Sequence, residues 1–112
     1  SNPEVAAQWL KDVQAKLQAN PNRRAFNASP NDGWTSGHCI CENCRAWDHP
    51  EGELRTFRWE GLAQQYVALS DRHVRFANRC ARLLKATYPE KDYFVVMMAY
   101  GHSRPAPIEA RD

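Results

Sequence analysis

Hydrophobic residues recur along this chain with two different periods. Between residues 3 and 19, Ala6, Trp9, Leu10, Val13 and Leu17 fall at helical spacing, the stripe of an amphipathic helix with one buried face. Asn2, Pro3 and Glu4 suit its start as N-cap, first-turn proline and acid at the positive end of the dipole. Asn20-Pro21 ends it, because the residue before a proline avoids the helical region. A second stripe, Val74, Ala77, Ala81 and Leu84, widened by Phe76, Cys80 and Leu83, predicts a firmer helix capped by Ser70 and ended by Tyr88-Pro89. Arg72, Arg75, Arg79 and Arg82 line its opposite side and read as a solvated face.

Two runs read as strands. Residues 24–29 form a weak one, with Phe26 as the single large apolar side chain. Residues 93–100 are apolar on both faces, as in a parallel strand covered from both sides. Between them, Pro30-Asn31-Asp32-Gly33 is a turn, and residues 33–54 lack any sustained period and read as a long loop. Loops of that length are functional or held by a staple. Residues 55–69 are ambiguous: Leu62, Tyr66 and Leu69 would share a helical face, but Gly61 weakens it.

The order helix, strand, loop, helix, strand, loop predicts an α/β fold with parallel strands, the helix from Ser70 serving as the crossover. Two strands make a sheet too narrow to cover a strand that is apolar on both faces. The expectation is therefore one domain, residues 1–112, that is a partial (β/α) barrel fragment: an excised segment of a larger (β/α)8 barrel, completed by the remainder of its parent chain or by a homo-oligomer. The alternative is a small two-layer domain whose extra strand comes from residues 54–60.

Composition adds little to this picture. The chain has 112 residues, 43% hydrophobic and 25% charged, with 15 basic and 13 acidic side chains and a net charge of +2. So balanced a charge argues against a nucleic acid or an anionic membrane as partner. No apolar run approaches the ~18 residues that span a bilayer, and the opening residues lack the basic start and apolar core of a leader.

Three of the four cysteines crowd together as Cys39, Cys41 and Cys44, and Cys80 stands apart. Thiolates at this spacing can converge on one ion, with His38 as fourth ligand, or alternatively His49 or His73, giving a closed structural zinc site. The rival is a disulfide, Cys41 with Cys44 or Cys39 with Cys44, and both readings stay open. Asn31 and Asp32 follow the first strand. At the carboxyl end of a barrel strand they would meet substrate, Asp32 as catalytic acid or base. Glycosidases pair two carboxylates; Glu42 and Asp48 share the loop with Asp32, but neither is a convincing partner. Tyr100 and His102 close the second strand at the same mouth and suit sugar binding, as does Trp34. Set against these readings, Asn-Asp-Gly is also an ordinary turn, Tyr100 an ordinary core or rim aromatic, and the loop tryptophans Trp34 and Trp47 an ordinary private core beneath the loop.

The motifs 27–33 (NASPNDG) and 38–46 (HCICENCRA), the helix 70–85, Tyr88-Pro89 and Ala99-Tyr100 together resemble an uncharacterised bacterial family, a domain of unknown function whose members are similar to glycoside-hydrolase TIM barrels. The resemblance spans roughly residues 24–107, and the cysteine loop carries most of its specificity; Cys80 departs from it, standing where a small aliphatic residue is expected. It implies a barrel fold, a polysaccharide or oligosaccharide partner and a secreted or periplasmic setting. It supplies no catalytic residues. The expected function is thus a segment of a glycoside-hydrolase-like protein engaged in polysaccharide recognition or breakdown, inactive on its own. A non-catalytic carbohydrate-binding module and a small zinc-stapled interaction domain are the alternatives.

Overall fold

The computed structural model describes residues 3–29, 41–98 and 106–108. Helix α1, Pro3–Ala19, leads into strand β1, Ala25–Asn27, and a single helical turn α2, Glu42–Arg45, follows later. Strands β2, Leu54–Trp59, and β3, Leu62–Val67, come next, then helix α3, Ser70–Thr87, and strand β4, Phe94–Val96. The fold is mixed α/β.

β1 and β4 pair in parallel, with Ala25 opposite Phe94 and Asn27 opposite Val96. The pairing extends past both ends, through Phe94 N–H to Arg24 O at 2.9 Å and Ala28 N–H to Val96 O at 2.8 Å. Both long helices pack on the pair through the stripes their sequences predict. Val13 of α1 and Leu84 of α3 bury Phe26 between them, flanked by Leu17, Tyr88, Tyr93 and Val95. Ala77 and Cys80 meet Ala28, with Met97 and Phe76 alongside. Late residues of α3 thus lie beside the start of β4 and earlier ones beside its end, so α3 runs antiparallel to the strands. α1 does the same, since Leu17 packs near Tyr93 while Trp9 donates from Nε1 to Asn27 O at 2.9 Å. Both helix N-termini therefore lie at the carboxyl edge of the β1–β4 pair.

The helices cover only one side of the pair. On the other, Phe94, Val96 and Met98 remain 52%, 42% and 62% exposed, so the apolar pattern of residues 93–98 on this side is met by nothing among the described residues. Period-2 alternation puts Tyr93, Val95 and Met97 against the helices and these three on the opposite face.

The ambiguous stretch forms an antiparallel hairpin, not a helix, and the strand at 54–59 does not join β1 and β4. It pairs with β3 as a separate two-stranded sheet, Leu54 opposite Val67 and Trp59 opposite Leu62. The cause is the Glu60-Gly61 turn. Both residues take positive φ, 48° and 80°, the type I′ geometry whose twist matches that of two joined strands. Gly61 therefore belongs to a tight turn and not to a weakened helix. Ser70 is likewise the first helical residue and not the cap; Leu69 holds the cap position without a side-chain bond.

Candidate functional site

The carboxyl edge of β1 and β4 is where the two candidate-bearing segments leave the sheet. Past β1, Asn27 Oδ1 accepts the Ser29 N–H at 2.7 Å, turning the chain. Past β4, the Met98 N–H donates to Ser29 Oγ at 2.8 Å. The two departing segments are thus joined by a hydrogen bond at the last described residue of each. The second is also fixed where it returns: Ile108 N–H donates to Asp71 Oδ2 at 3.1 Å. Asp71 lies in the first turn of α3 and is 4% exposed, so a buried carboxylate at the helix N-terminus, where the dipole favours it, holds Ile108 against α3. Asn31, Asp32, Trp34, His38, Cys39, Tyr100 and His102 themselves lie outside the described residues.

Beside this edge, the described part of the long loop is locked to α3. Arg72 grips Asp48 with both ends of its guanidinium, Nε to Oδ1 at 2.8 Å and Nη2 to Oδ2 at 2.7 Å. Neither side chain is more than 13% exposed. Next to the pair, Arg75 and Arg79 place their guanidiniums 4.4 and 4.7 Å from the Trp47 ring centre, within cation–π range. Trp47 is buried, the loop core expected for it. Buried His49 accepts the Glu51 N–H at Nδ1, 3.1 Å away. The arginine row therefore departs from expectation: Arg82 alone faces solvent, and the other three bind the loop. Asp48 has both oxygens engaged by Arg72, which removes it as a second acid for Asp32. Sequence reasoning missed this clamp. Its signal was three arginines on one helical face with a single acid, Asp71, four residues from any of them.

Cys41 and Cys44 bracket the single turn of α2, Cys41 exposed at its cap position and Cys44 half-buried. Cys41 has extended backbone, with ψ at 159°, and lies outside the helix, whereas Cys44 is its third residue. Among the described residues no group of three or more His, Cys, Asp or Glu side chains is placed to hold a metal. Neither His49 nor His73 therefore completes a set with these two thiols. Cys80 is a fully buried free thiol in the core, and desolvation there raises its pKa from 9.0 to about 11, against the lowering effect of Arg79. No helix among the described residues is long and apolar enough to cross a membrane.

Two helix–strand units with parallel strands, helices on one face and loops gathered at the carboxyl edge, define a protein of the α/β class. The chain belongs to the family described as Domain of unknown function (DUF4838), whose model matches residues 1–112. Neither a curated protein nor a solved structure matches it.

Proposed function

We propose that the chain is one segment of a secreted or periplasmic, glycoside-hydrolase-like (β/α) barrel that recognises or breaks down polysaccharide, with its carbohydrate-facing rim at the carboxyl edge of β1 and β4. One observation carries the reading: the parallel β1–β4 pair sends both candidate-bearing segments out at a single edge, joined through Ser29 and Met98. In α/β proteins, ligands sit at that edge because loops, helix N-termini and strand ends converge there. The open apolar face of β4 fits a strand whose neighbours lie elsewhere in a barrel. In this reading Asp32 contributes a carboxylate, Asn31 and His102 bind hydroxyls, and Trp34 and Tyr100 stack on sugar rings. Hydrolysis by the segment alone is not expected, since a second carboxylate must come from another part of the barrel.

The cysteine loop would serve as a staple over the rim. Cys41 at the cap of α2 and Cys44 within it would supply half of a zinc shell, and Cys39 with His38 the rest; the ion's part would be to hold the loop closed. Native mass spectrometry tests the staple directly: one bound zinc upholds it, whereas a mass lower by two hydrogens replaces it with a disulfide.

The rim is tested by titrating soluble hexaoses of glucose, xylose and mannose into the chain. Saturable binding that is lost in Trp34→Ala and Tyr100→Ala supports the proposal. Binding to no glycan, or binding indifferent to both substitutions, overturns it.

A further inference from the structure

The opposite, amino edge of the sheet carries a shallow groove of about 510 Å³, wide open to solvent. Half-buried Leu17, Tyr88 and Tyr93 line it together with exposed Pro21, Gln14, Gln18 and Lys91. The tyrosine rings are fixed by the core beneath them. Tyr93 meets Phe26 edge to face with ring centres 5.5 Å apart, and Tyr88 meets Tyr93 in the same way at 5.3 Å. The turn that carries Lys91 is held by its N–H donating to Tyr88 O at 3.1 Å. Gln14 and Gln18, one turn apart on α1, project beside the buried stripe of Val13 and Leu17.

Among the described residues, the hydroxyls of Tyr88 and Tyr93, the amides of Gln14 and Gln18 and the Lys91 ammonium make no hydrogen bond or ion pair with the protein. The groove thus offers rigid aromatic surface ringed by unengaged donors and acceptors. That combination matches a pyranose ring, which presents an apolar C–H face and a rim of hydroxyls that both give and accept hydrogen bonds. It does not match a phosphate, because Lys91 is the sole cation in the lining. An acyl chain would leave Gln14, Gln18 and Lys91 of the lining without partners.

We propose that this groove is a second saccharide-binding site, taking one hexopyranose unit of a glycan chain at the edge opposite the rim. The choice of a saccharide rests in part on the glycan reading above, whereas the place rests on the groove's own chemistry. Two sites at opposite ends would let one segment hold a polymer at a distance from the rim.

Amide chemical shifts of the isotope-labelled chain, followed while maltohexaose, cellohexaose and xylohexaose are titrated separately, test this. The expected result is saturable shifts at residues 14–18 and 88–93 with at least one hexaose. The paired substitution Gln14→Ala and Gln18→Ala, both exposed, should weaken those shifts by about ten-fold in affinity and leave the thermal midpoint unchanged. Lys91→Ala, also exposed, is a second variant of the same kind. Shifts confined to residues 27–29 and 96–98 would overturn the groove and leave the rim proposal standing. Shifts confined to the groove would do the reverse. Absence of groove shifts with all three sugars, or undiminished groove binding in both variants, overturns this site.

Discussion

Arg72 and Asp48, separated by 24 positions in sequence, form a two-pronged ion pair at 2.7 and 2.8 Å in which both side chains are nearly sequestered from water. The pair joins α3 to residues 46–53, which hold no helix or strand. A planar guanidinium fits a carboxylate in this way, and a lysine cannot reproduce it. Removing one partner strands the other charge in a poorly solvated place. Arg72→Leu and Asp48→Leu should each lower stability by about 3 kcal/mol, whereas the double substitution should recover much of that loss. Urea unfolding of the two single variants and the double variant checks the cycle; additive losses would show that the pair does not couple loop to helix.

Trp47 secures the same loop through the two neighbouring arginines. Arg75→Ala and Arg79→Ala should each cost about 0.5–2 kcal/mol, and both should raise proteolytic cleavage within residues 46–53. Tryptophan emission should also shift to longer wavelength, since Trp47 is 8% exposed in the intact protein. Unchanged cleavage in both variants would assign the loop's order to the Asp48 pair alone.

Cys80 sets a pH dependence. Its thiol stays protonated in the folded core up to about 11, because burial disfavours the thiolate more than Arg79 favours it, whereas in the unfolded chain it ionises near the ordinary 9.0. Above pH 9 the unfolded state loses a proton that the folded state keeps. Stability therefore falls as pH rises from about 9 to 11 and levels off beyond, a loss on the order of 2 kcal/mol. Cys80→Ala should flatten that part of the curve while lowering stability at neutral pH. In a thiol-labelling time course at pH 8, after chelator and reductant have removed any metal or disulfide, exposed Cys41 should react early and Cys80 only on unfolding.

The hairpin turn offers a stabilising change. Glu60 holds φ at 48°, a strain that asparagine or glycine relieves. Glu60→Asn should raise stability by about 0.5 kcal/mol, and Gly61→Val should lower it by about 1 kcal/mol or more, since φ there is 80° with open space around it. At Gly52 the obstacle is different: an added Cβ would sit 2.7 Å from Val67 Cγ1 and 3.1 Å from His49 O. Gly52→Ala should cost about 1–3 kcal/mol. Thermal melts of the three variants distinguish relief of backbone strain from steric obstruction.

Met98 and Ile108 are held by Ser29 and Asp71. Ser29→Ala and Asp71→Ala should speed hydrogen exchange at the Met98 and Ile108 amides respectively, by about ten-fold for a lost bond of ordinary strength. Unaltered exchange at both would mean that other contacts order that segment.

Local pattern alone determined the two long helices and the strands about Phe26 and Val95. Each depends on period and end signals that a short stretch contains. Which face of the second strand meets the helices was decided by tertiary packing, because residues 93–98 are apolar on both faces. Parallel pairing followed from the order of elements, because helix-linked strands in one layer must run the same way. The hairpin at 54–67 was not legible because Leu62, Tyr66 and Leu69 also fit a helical stripe, and only positive φ at Glu60 and Gly61 separates the two. The clamp of Arg72, Arg75 and Arg79 on Asp48 and Trp47 was decided by tertiary structure alone. A row of arginines looks the same whether it meets water or a loop, and the partner that decides lies more than twenty residues away, beyond the reach of any local period.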